Sequence, residues 1–229
     1  MRQQAKNAFC GVPEQVVSVD QALSILGDTV IFRMVCAIGF GETLGWTAPG
    51  YAVEANGLWA HSLSTGVGSE YLAKVEFKDD FLPSAAFTAG LLHDIGKTVI
   101  NKILTPKARA DIRSKIFDES LSRFAAEKAV LGADHSEVGA CLLQRWSLPE
   151  IIIEAVANHH APVTKPAMRL SAVVYLANGV AHLSGTAPGW EARLSEANHM
   201  NAEVFGMDVK RMDQIVSSMQ KEMTAFPQF

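Results

Sequence analysis

Hydrophobic residues recur along most of the chain with the spacing of an amphipathic helix, whereas the strict alternation that predicts strands is hard to find. Glycine and proline residues fall between the periodic stretches, where they separate one helix from the next. We therefore predict an all-α fold, a bundle of about nine or ten helices. The predicted helices span residues 19–26, 28–44, 53–74, 84–104, 121–131, 135–146, 149–159 and 167–183, and a last one starts at 209.

Several helix ends carry recognisable capping signals. Asp134 and Glu137 have the spacing of a capping box, in which an acceptor at the N-cap is answered by a Glu three residues later. Pro149 suits the first turn of a helix, where its missing N–H costs nothing. Pro106 is placed beyond the end of the helix over 84–104, and Asp208 is predicted to cap the last helix.

The length and apolar content predict one main domain. The chain has 229 residues, of which 48% are hydrophobic and 19% charged, enough apolar material for a sizeable core. Residues 51–229 are expected to form the main bundle. Residues 1–50 are expected to form a partial helical lobe packed on it.

Charge and hydropathy narrow the classes of partner. The net charge is −4 with no basic block, which argues against binding nucleic acid through its phosphates. No apolar run approaches the ~20 residues of a spanning helix, and the first ten residues lack the apolar segment of a signal peptide. The three cysteines are scattered, as expected for free thiols in a reducing compartment. We predict a cytoplasmic protein without membrane contact.

Candidate chemistry lies in the histidines. His93 and Asp94 follow two leucines and precede an isoleucine, an apolar setting in which a carboxylate must be paired or bound to metal. His159 and His160 end an apolar helix, and neighbouring neutral imidazoles are well suited to bind one cation. His61 and His135 are each separated from these pairs by one or two helices, and a bundle can bring such side chains to one interior point.

The ligand types predict a divalent transition metal, because imidazole with carboxylate favours iron, manganese, zinc, nickel or cobalt over calcium or magnesium. One or two ions are compatible with the set. Simpler interpretations remain open at this stage. His93 and Asp94 could tie two helices by a buried hydrogen bond, and His159 and His160 could be a polar helix end facing the helix dipole.

The residues around these histidines resemble the HD superfamily of metal-dependent phosphohydrolases, and more narrowly its HDOD family, the HD-related output domains of bacterial signalling. The resemblance covers roughly residues 7 to 220. In that family further helices usually precede the stretch at Asn7, so this chain is expected to be trimmed at its start. The motifs that carry the resemblance are NAFCG at Asn7, SVDQA at Ser18, LWAHS at Leu58, AGLLHDIGK at Ala89, HSEVGA at His135, WSLP at Trp146 and NHHAP at Asn158.

The resemblance implies an HD-like helical bundle with a metal site. His61, His93 and Asp94 match the first metal site of HD enzymes, which a late Asp usually completes. Asn178 stands at that position here. An Asn can offer a neutral carbonyl oxygen but no charge, so the resemblance implies a weakened first position.

The same resemblance implies a second set of ligands. His135, His159 and His160 match the extra ligands of the HD-GYP relatives, in which Asp94 would bridge two metals. If the protein is an enzyme, Asp94 and Lys97 would be the catalytic residues, and Lys97 would hold a phosphate oxygen. The alternative for Lys97 is a surface lysine that covers apolar neighbours with its stem.

Two departures weaken the case for turnover: Asn178 at the position of the late carboxylate, and the lack of the GYP element after the paired histidines, where this chain has Ala161-Pro162-Val163. The favoured hypothesis is a signalling module that binds a partner protein through a metal-bearing but catalytically degenerate domain. The second is an active metal-dependent phosphohydrolase acting on a nucleotide, a cyclic dinucleotide or another phosphate-bearing small molecule. The third, a nucleic-acid-binding regulator, is disfavoured by the acidic charge.

Overall fold

The computed structural model of the protein describes residues 27, 31–32, 34–36, 38–41, 43–45, 47–75, 83–160, 169–186, 189 and 209–223. After residue 50 this part of the chain forms nine α-helices. They are α1 Gly57–Val75, α2 Pro83–Leu92, α3 Ile95–Ile103, α4 Pro106–Phe117, α5 Arg123–Leu131, α6 His135–Arg145, α7 Glu150–Ala157, α8 Arg169–Ala181 and α9 Val209–Met223.

The predicted all-α bundle is confirmed. Among the described residues there is no strand, and the only β pairing is one isolated bridge between Ala48 and Val53 around a 3₁₀ turn. None of the helices in this part of the chain combines the length and apolarity of a bilayer-spanning segment. Described positions from 31 to 45 are helical, in agreement with the second predicted helix. The predicted helix over 19–26 and the Asp208 cap lie outside the described residues.

Helix α1 is the central element of the bundle, buried along nearly its whole length and packed against α2 and α8. Small residues allow α1 and α2 to approach closely. A Cβ added to Gly90 would lie 2.7 Å from the carbonyl oxygen of Thr65 and 2.9 Å from the Cα of Gly66. Because glycines of both helices lie at this crossing, the backbones of α1 and α2 approach closely.

The helix predicted over 84–104 is wrong in one respect: it is two helices, α2 and α3, interrupted at His93 and Asp94. The apolar period continues through the interruption, so the hydrophobic pattern does not show it. The break is tied to packing, because α3 lies against α6 with Gly96 in backbone contact with it. A Cβ at Gly96 would lie 2.0 Å from the carbonyl oxygen of His135.

Helix α4 is missing from the sequence-based prediction, although its start carries a signal. Thr105 caps it by accepting a hydrogen bond from the N–H of Ala108 at 3.2 Å, and Pro106 occupies the first turn. Pro106 therefore begins this helix as well as following α3. The polar surface of α4 hides its helical period, since only Ile112 and Ile116 are buried.

Other predicted ends are confirmed. Asp134 accepts hydrogen bonds from the N–H groups of Ser136 and Glu137, and the Glu137 side chain accepts one from the N–H of Asp134, completing the capping box of α6. Pro149 is the N-cap of α7, one position before the first turn in which the sequence placed it. Helix α8 ends in a π-helical turn, His182–Thr186, close to the predicted end at 183.

The core continues into the residues before 50. Cys36, Leu44 and Ala48 are buried in the same apolar cluster as the residues of α1, α2 and α8. The division of the chain at residue 50 into a lobe and a bundle stays a prediction.

Candidate metal centre

Six predicted site residues meet in the interior of the bundle although they come from four separate segments. His61 is on α1, His93 and Asp94 occupy the break between α2 and α3, and His135 is the first residue of α6. The last two residues, His159 and His160, follow the end of α7. His61, His93, His135 and His159 are fully buried and Asp94 is 1% exposed.

The Asp94 carboxylate lies at the middle of the cluster and faces a different group with each oxygen. Its Oδ2 is 3.4 Å from Nε2 of His93 and 3.7 Å from Nε2 of His61. Its Oδ1 is 3.4 Å from Nε2 of His135 and 3.8 Å from Nε2 of His159. Asp94 is the N-cap residue of α3, yet its side chain makes no capping hydrogen bond and remains available to the cluster.

Three of the rings are held in the orientation that a metal ligand needs. Nδ1 of His93 lies 2.8 Å from the carbonyl oxygen of Gly90, and Nδ1 of His159 lies 2.7 Å from that of Val156. A carbonyl oxygen only accepts, so each Nδ1 carries the proton and donates it. A ring that donates through Nδ1 binds an ion through Nε2, and Nε2 is the atom that faces Asp94.

His135 is held in the same way by a carboxylate. Its Nδ1 donates to Oε2 of Glu127 at 2.6 Å, and its backbone N–H donates to the same oxygen at 2.8 Å. Its Nε2 lies 2.7 Å from Nε2 of His160, so one of these two atoms donates to the other in the absence of an ion. The His160 ring stacks on Phe124 with centroids 5.1 Å apart.

The cluster contains two groups that could each hold a metal ion. His61, His93 and Asp94 form one, and His135, His159 and His160 form the other. Within each group the candidate ligand atoms lie within 4.8 Å of one another. The two groups are joined by the two oxygens of Asp94.

The donor set fits a metal by a second criterion. Nε2 of His93, Nε2 of His159 and Oδ1 of Asp94 are buried and make no hydrogen bond to any residue that the structure describes. Buried polar atoms without a partner cost free energy, and a cation bound among them would satisfy all three.

The protonation states suit a cation as well. Burial by itself would raise the pKa of Asp94, but the proximity of His93 and Lys97 outweighs burial and holds that pKa well below its ordinary value. Burial, reinforced by neighbouring histidines, holds the pKa values of His159 and His160 well below the ordinary histidine value. The carboxylate is therefore charged and these two rings neutral at physiological pH, as ligands must be.

Lys97 is buried, so the surface interpretation is wrong. It lies in the first turn of α3, is 2% exposed, and its Nζ donates to Oδ2 of Asp94 at 2.6 Å. A buried ammonium is stabilised by a close carboxylate, and here the lysine uses the oxygen that faces His61 and His93. The pocket formed by His61, His93 and Asp94 thus already contains a positive charge.

Asn178 lies on α8, buried, with an Oδ1 that accepts no hydrogen bond from the described residues. In the π-helical turn that follows α8, the His182 ring lies edge to face with the His61 ring, with centroids 5.0 Å apart. This turn therefore contacts α1 at His61. The role of Asn178 as a ligand stays a prediction.

Sequence reasoning missed Glu127, which holds His135, and it missed the contact of His182 with His61. The signal for Glu127 was present but weak. It is the carboxylate of a short helix in which Arg123 and Ala126 are also buried. Nothing in the sequence states which helix face turns inward, so Glu127 could equally have been a solvated residue.

Comparisons with known proteins agree with the family resemblance carried by the sequence motifs. The family model of the HDOD domain matches residues 4–162. A curated relative from Treponema pallidum, an uncharacterized protein, is 25% identical over 154 residues, which are 67% of this chain and 29% of the relative. The chain thus spans less than a third of the length of that relative.

Solved structures show the same fold. A crystal structure of an HDOD domain protein of unknown function from Geobacter sulfurreducens is 25% identical, with a TM-score of 0.62 over 91% of this chain and 72% of that one. A candidate signal transduction protein from Marinobacter aquaeolei is 20% identical, with a TM-score of 0.71 over 93% of this chain and 47% of that one. A candidate phosphohydrolase from Shewanella amazonensis is 22% identical, with a TM-score of 0.63 over 95% of this chain and 76% of that one.

Proposed function

The chain belongs to the HDOD domain family, and from that premise we propose that it is a bacterial signal-transduction output module with a metal-binding, catalytically degenerate HD-like centre. Its signal is passed on by binding a partner protein in the cytoplasm. The observation that carries the proposal is the cluster around Asp94, in which one carboxylate oxygen faces a three-histidine pocket and the other is paired with Lys97.

The metal part of this proposal rests on the donor set. His135, His159 and His160 with Oδ1 of Asp94 would hold a divalent transition ion, such as iron, manganese, zinc, nickel or cobalt. Three of these four ligands are neutral imidazoles, a set that magnesium and calcium do not favour. We propose one tightly held ion per chain in this pocket.

The proposed loss of turnover rests on the other side of Asp94. In the pocket of His61 and His93, Lys97 is paired with Oδ2 of Asp94, the carboxylate oxygen that faces both histidines. Asn178, at the position of the late Asp, adds no second negative charge to this pocket. A second ion there would have to displace a buried ammonium from the carboxylate with which it is paired. Two-metal hydrolysis of phosphate esters needs both positions filled.

The second candidate is an active metal-dependent phosphohydrolase, and Lys97 is the observation that favours it. A buried ammonium one turn after His93 is suitably placed to hold a phosphate oxygen if substrate draws it from Asp94. Bound metal would supply Lewis-acid activation of the phosphate and of a water molecule. The substrate would then be a nucleotide, a cyclic dinucleotide or another small phosphate ester.

Metal analysis with an activity assay separates the two candidates. Untagged protein, purified without chelator, is compared with a His93→Ala/Asp94→Ala variant for bound metal and for phosphoesterase activity with added manganese or iron. Lys107→Ala/Asp111→Ala removes an exposed lysine–aspartate pair on α4 and is the matched control. We expect about one bound ion per chain in wild type and control, and loss of that ion in the His93→Ala/Asp94→Ala variant. None of the three proteins should hydrolyse the phosphoester.

Other outcomes would change the assignment. Turnover that is present in wild type and control but absent from the His93→Ala/Asp94→Ala variant would establish the phosphohydrolase. Absence of metal under every loading condition would contradict the metal centre, and the histidines would then be a hydrogen-bonded core of an interaction module.

A further inference from the structure

Helix α5 contributes no member of the candidate ligand set, yet two of its residues contact two of those ligands. Oε2 of Glu127 accepts hydrogen bonds from both the Nδ1 and the backbone N–H of His135, at 2.6 and 2.8 Å. Phe124, one turn earlier on the same face, stacks on the ring of His160 at an interplanar angle of 16°. The Nε2 atoms of these two histidines are 2.7 Å apart.

The two hydrogen bonds of Glu127 constrain His135 more than ordinary packing would. Holding the backbone N–H fixes where the side chain starts, and holding Nδ1 fixes the plane of the ring and the nitrogen that remains for an ion. The capping box of Asp134 and Glu137 satisfies the N–H groups of Asp134, Ser136 and Glu137, and Glu127 adds the N–H of His135. The second contact of Glu127, with Nδ1, satisfies no backbone group of α6 and acts on the ring of His135.

Burying the Glu127 carboxylate costs free energy unless charged or hydrogen-bonding partners compensate for the lost water. Glu127 is 0% exposed. Burial by itself would raise its pKa, but the proximity of His135 and of Arg123 outweighs burial and lowers it, so the group is anionic. An anion placed behind an imidazole strengthens the electron donation of the opposite nitrogen to a metal.

We propose that Glu127 is a positioning residue of the metal centre: it sets the tautomer and orientation of His135, and with Phe124 makes α5 the supporting wall of the pocket formed by His135, His159 and His160. Its effect on ion affinity rests on the proposed function, whereas its effect on the ring of His135 does not. Loss of Glu127 lowers the affinity of this pocket for its ion by ~10–100-fold.

The first arm of the test uses metal-free protein. Proton–nitrogen correlation NMR of the histidine rings, recorded in chelator at about pH 8, reports which ring nitrogen carries the proton. The variants are Glu127→Gln, which keeps an oxygen acceptor, and Glu127→Ala, which removes it. Glu154→Gln changes an exposed glutamate on α7 and is the control.

In wild type we expect a slowly exchanging proton on Nδ1 of His135. It persists in Glu154→Gln, weakens in Glu127→Gln and is lost in Glu127→Ala. A wild-type His135 without a proton on Nδ1, or one unaltered by Glu127→Ala, overturns the inference whether or not the protein binds metal. If the alanine variant does not fold, the wild-type spectrum by itself still tests the tautomer of His135.

The second arm measures ion affinity and geometry by titrating the same four proteins with cobalt(II) and zinc(II) against a chromophoric chelator. We expect the ~10–100-fold loss in Glu127→Ala, a smaller loss in Glu127→Gln, and a change in the visible spectrum of bound cobalt. Equal affinities and spectra in wild type and Glu127→Ala overturn the effect on the metal. A wild type that binds neither ion but has the expected Nδ1 proton overturns the proposed function and supports the positioning of His135.

Discussion

At the scale of single residues, the orientation of three histidine rings is set by the acceptor that each Nδ1 contacts. Carbonyl oxygens of Gly90 and Val156 and the carboxylate of Glu127 each accept the Nδ1 proton of one ring. All three rings therefore direct Nε2 inward. Imidazoles without such partners would rotate and exchange tautomers, and their Nε2 atoms would not converge on Asp94.

The neutral histidines of the cluster, His159 buried and His160 partly buried, predict a pH dependence of stability. In the folded protein the pKa values of His159 and His160 are lowered mainly by burial, while in the unfolded chain they return to ~6.5. Below that pH the unfolded state binds more protons, so the contribution of these two groups to stability falls as pH falls through ~6.5 and is constant above it.

Thermal unfolding in chelator from about pH 8 to about pH 5 measures this dependence. A His159→Asn variant, which removes one of these groups, should show a shallower decline than wild type. Parallel curves for the two proteins would mean that His159 does not contribute.

The pairing of Lys97 with Asp94 makes a second prediction. Replacing Lys97 by Met removes the ammonium and leaves the buried carboxylate without its closest cation, which should destabilise metal-free protein by ~3–5 kcal/mol. Added zinc should recover more of this loss in the variant than it adds to wild type, because Oδ2 of Asp94 is then available.

Denaturant unfolding with and without zinc checks the prediction for Lys97→Met. Lys107→Met, which removes the exposed partner of Asp111 on α4, is the control and should change stability by less than ~1 kcal/mol. Equal zinc stabilisation of wild type and Lys97→Met would show that Lys97 does not compete with an ion.

At the scale of elements, the break between α2 and α3 determines where the chemistry lies. The break puts His93 and Asp94 in a turn at the interface with α6. The first residue of α6 is His135, and the carbonyl oxygen of this residue is the atom that Gly96 approaches. One close contact thus brings the His93–Asp94 pair and His135 together.

This contact predicts that Gly96→Ala is strongly unfavourable. The added Cβ would lie 2.0 Å from the carbonyl oxygen of His135 and 2.7 Å from the N atom of Gly139, so α3 must move away from α6. We expect a loss of at least ~1–3 kcal/mol in stability and weaker metal binding.

Gly39→Ala is the comparison variant, because its Cβ would meet nothing within 4 Å and its position is helical and exposed. It should be neutral or slightly stabilising. Denaturant unfolding of both proteins decides the matter, and a Gly96→Ala protein as stable as Gly39→Ala would contradict the close contact.

At the scale of the whole molecule, the candidate ligands connect distant parts of the chain. They come from α1, from the α2–α3 turn, from the start of α6 and from the residues after α7. An ion bound by Asp94 and the three-histidine pocket would link three of these segments. The unfolded chain cannot present them together, so such an ion binds almost only to the folded state.

Metal should therefore stabilise the fold as a whole. Free ion at 100 times its Kd contributes ~2.7 kcal/mol, which is observed as a rise in Tm that chelator reverses. An Asp94→Asn variant should lose most of this rise, while Asp111→Asn on the surface of α4 should keep it. Differential scanning fluorimetry with zinc or cobalt measures the effect, and equal shifts in the two variants would place the ion elsewhere.

The sequence by itself determined the features that local signals encode. Helical period predicted the all-α class, and capping residues such as Asp134 located helix ends within a few residues, because both depend on neighbours in the chain. The resemblance carried by the HDIGK and NHHAP motifs identified the family. The histidines and Asp94 also stood out locally, since such side chains in apolar helices require partners.

Only the tertiary structure decided which partners those are. The break at His93 and Asp94, the burial of Lys97, the division of Asp94 between two pockets and the support of His135 by Glu127 all arise where two helices meet. A helix carries its period in its own sequence, but the face it turns inward and the atoms it meets depend on residues far along the chain. For that reason the candidate ligands were predictable and their arrangement was not.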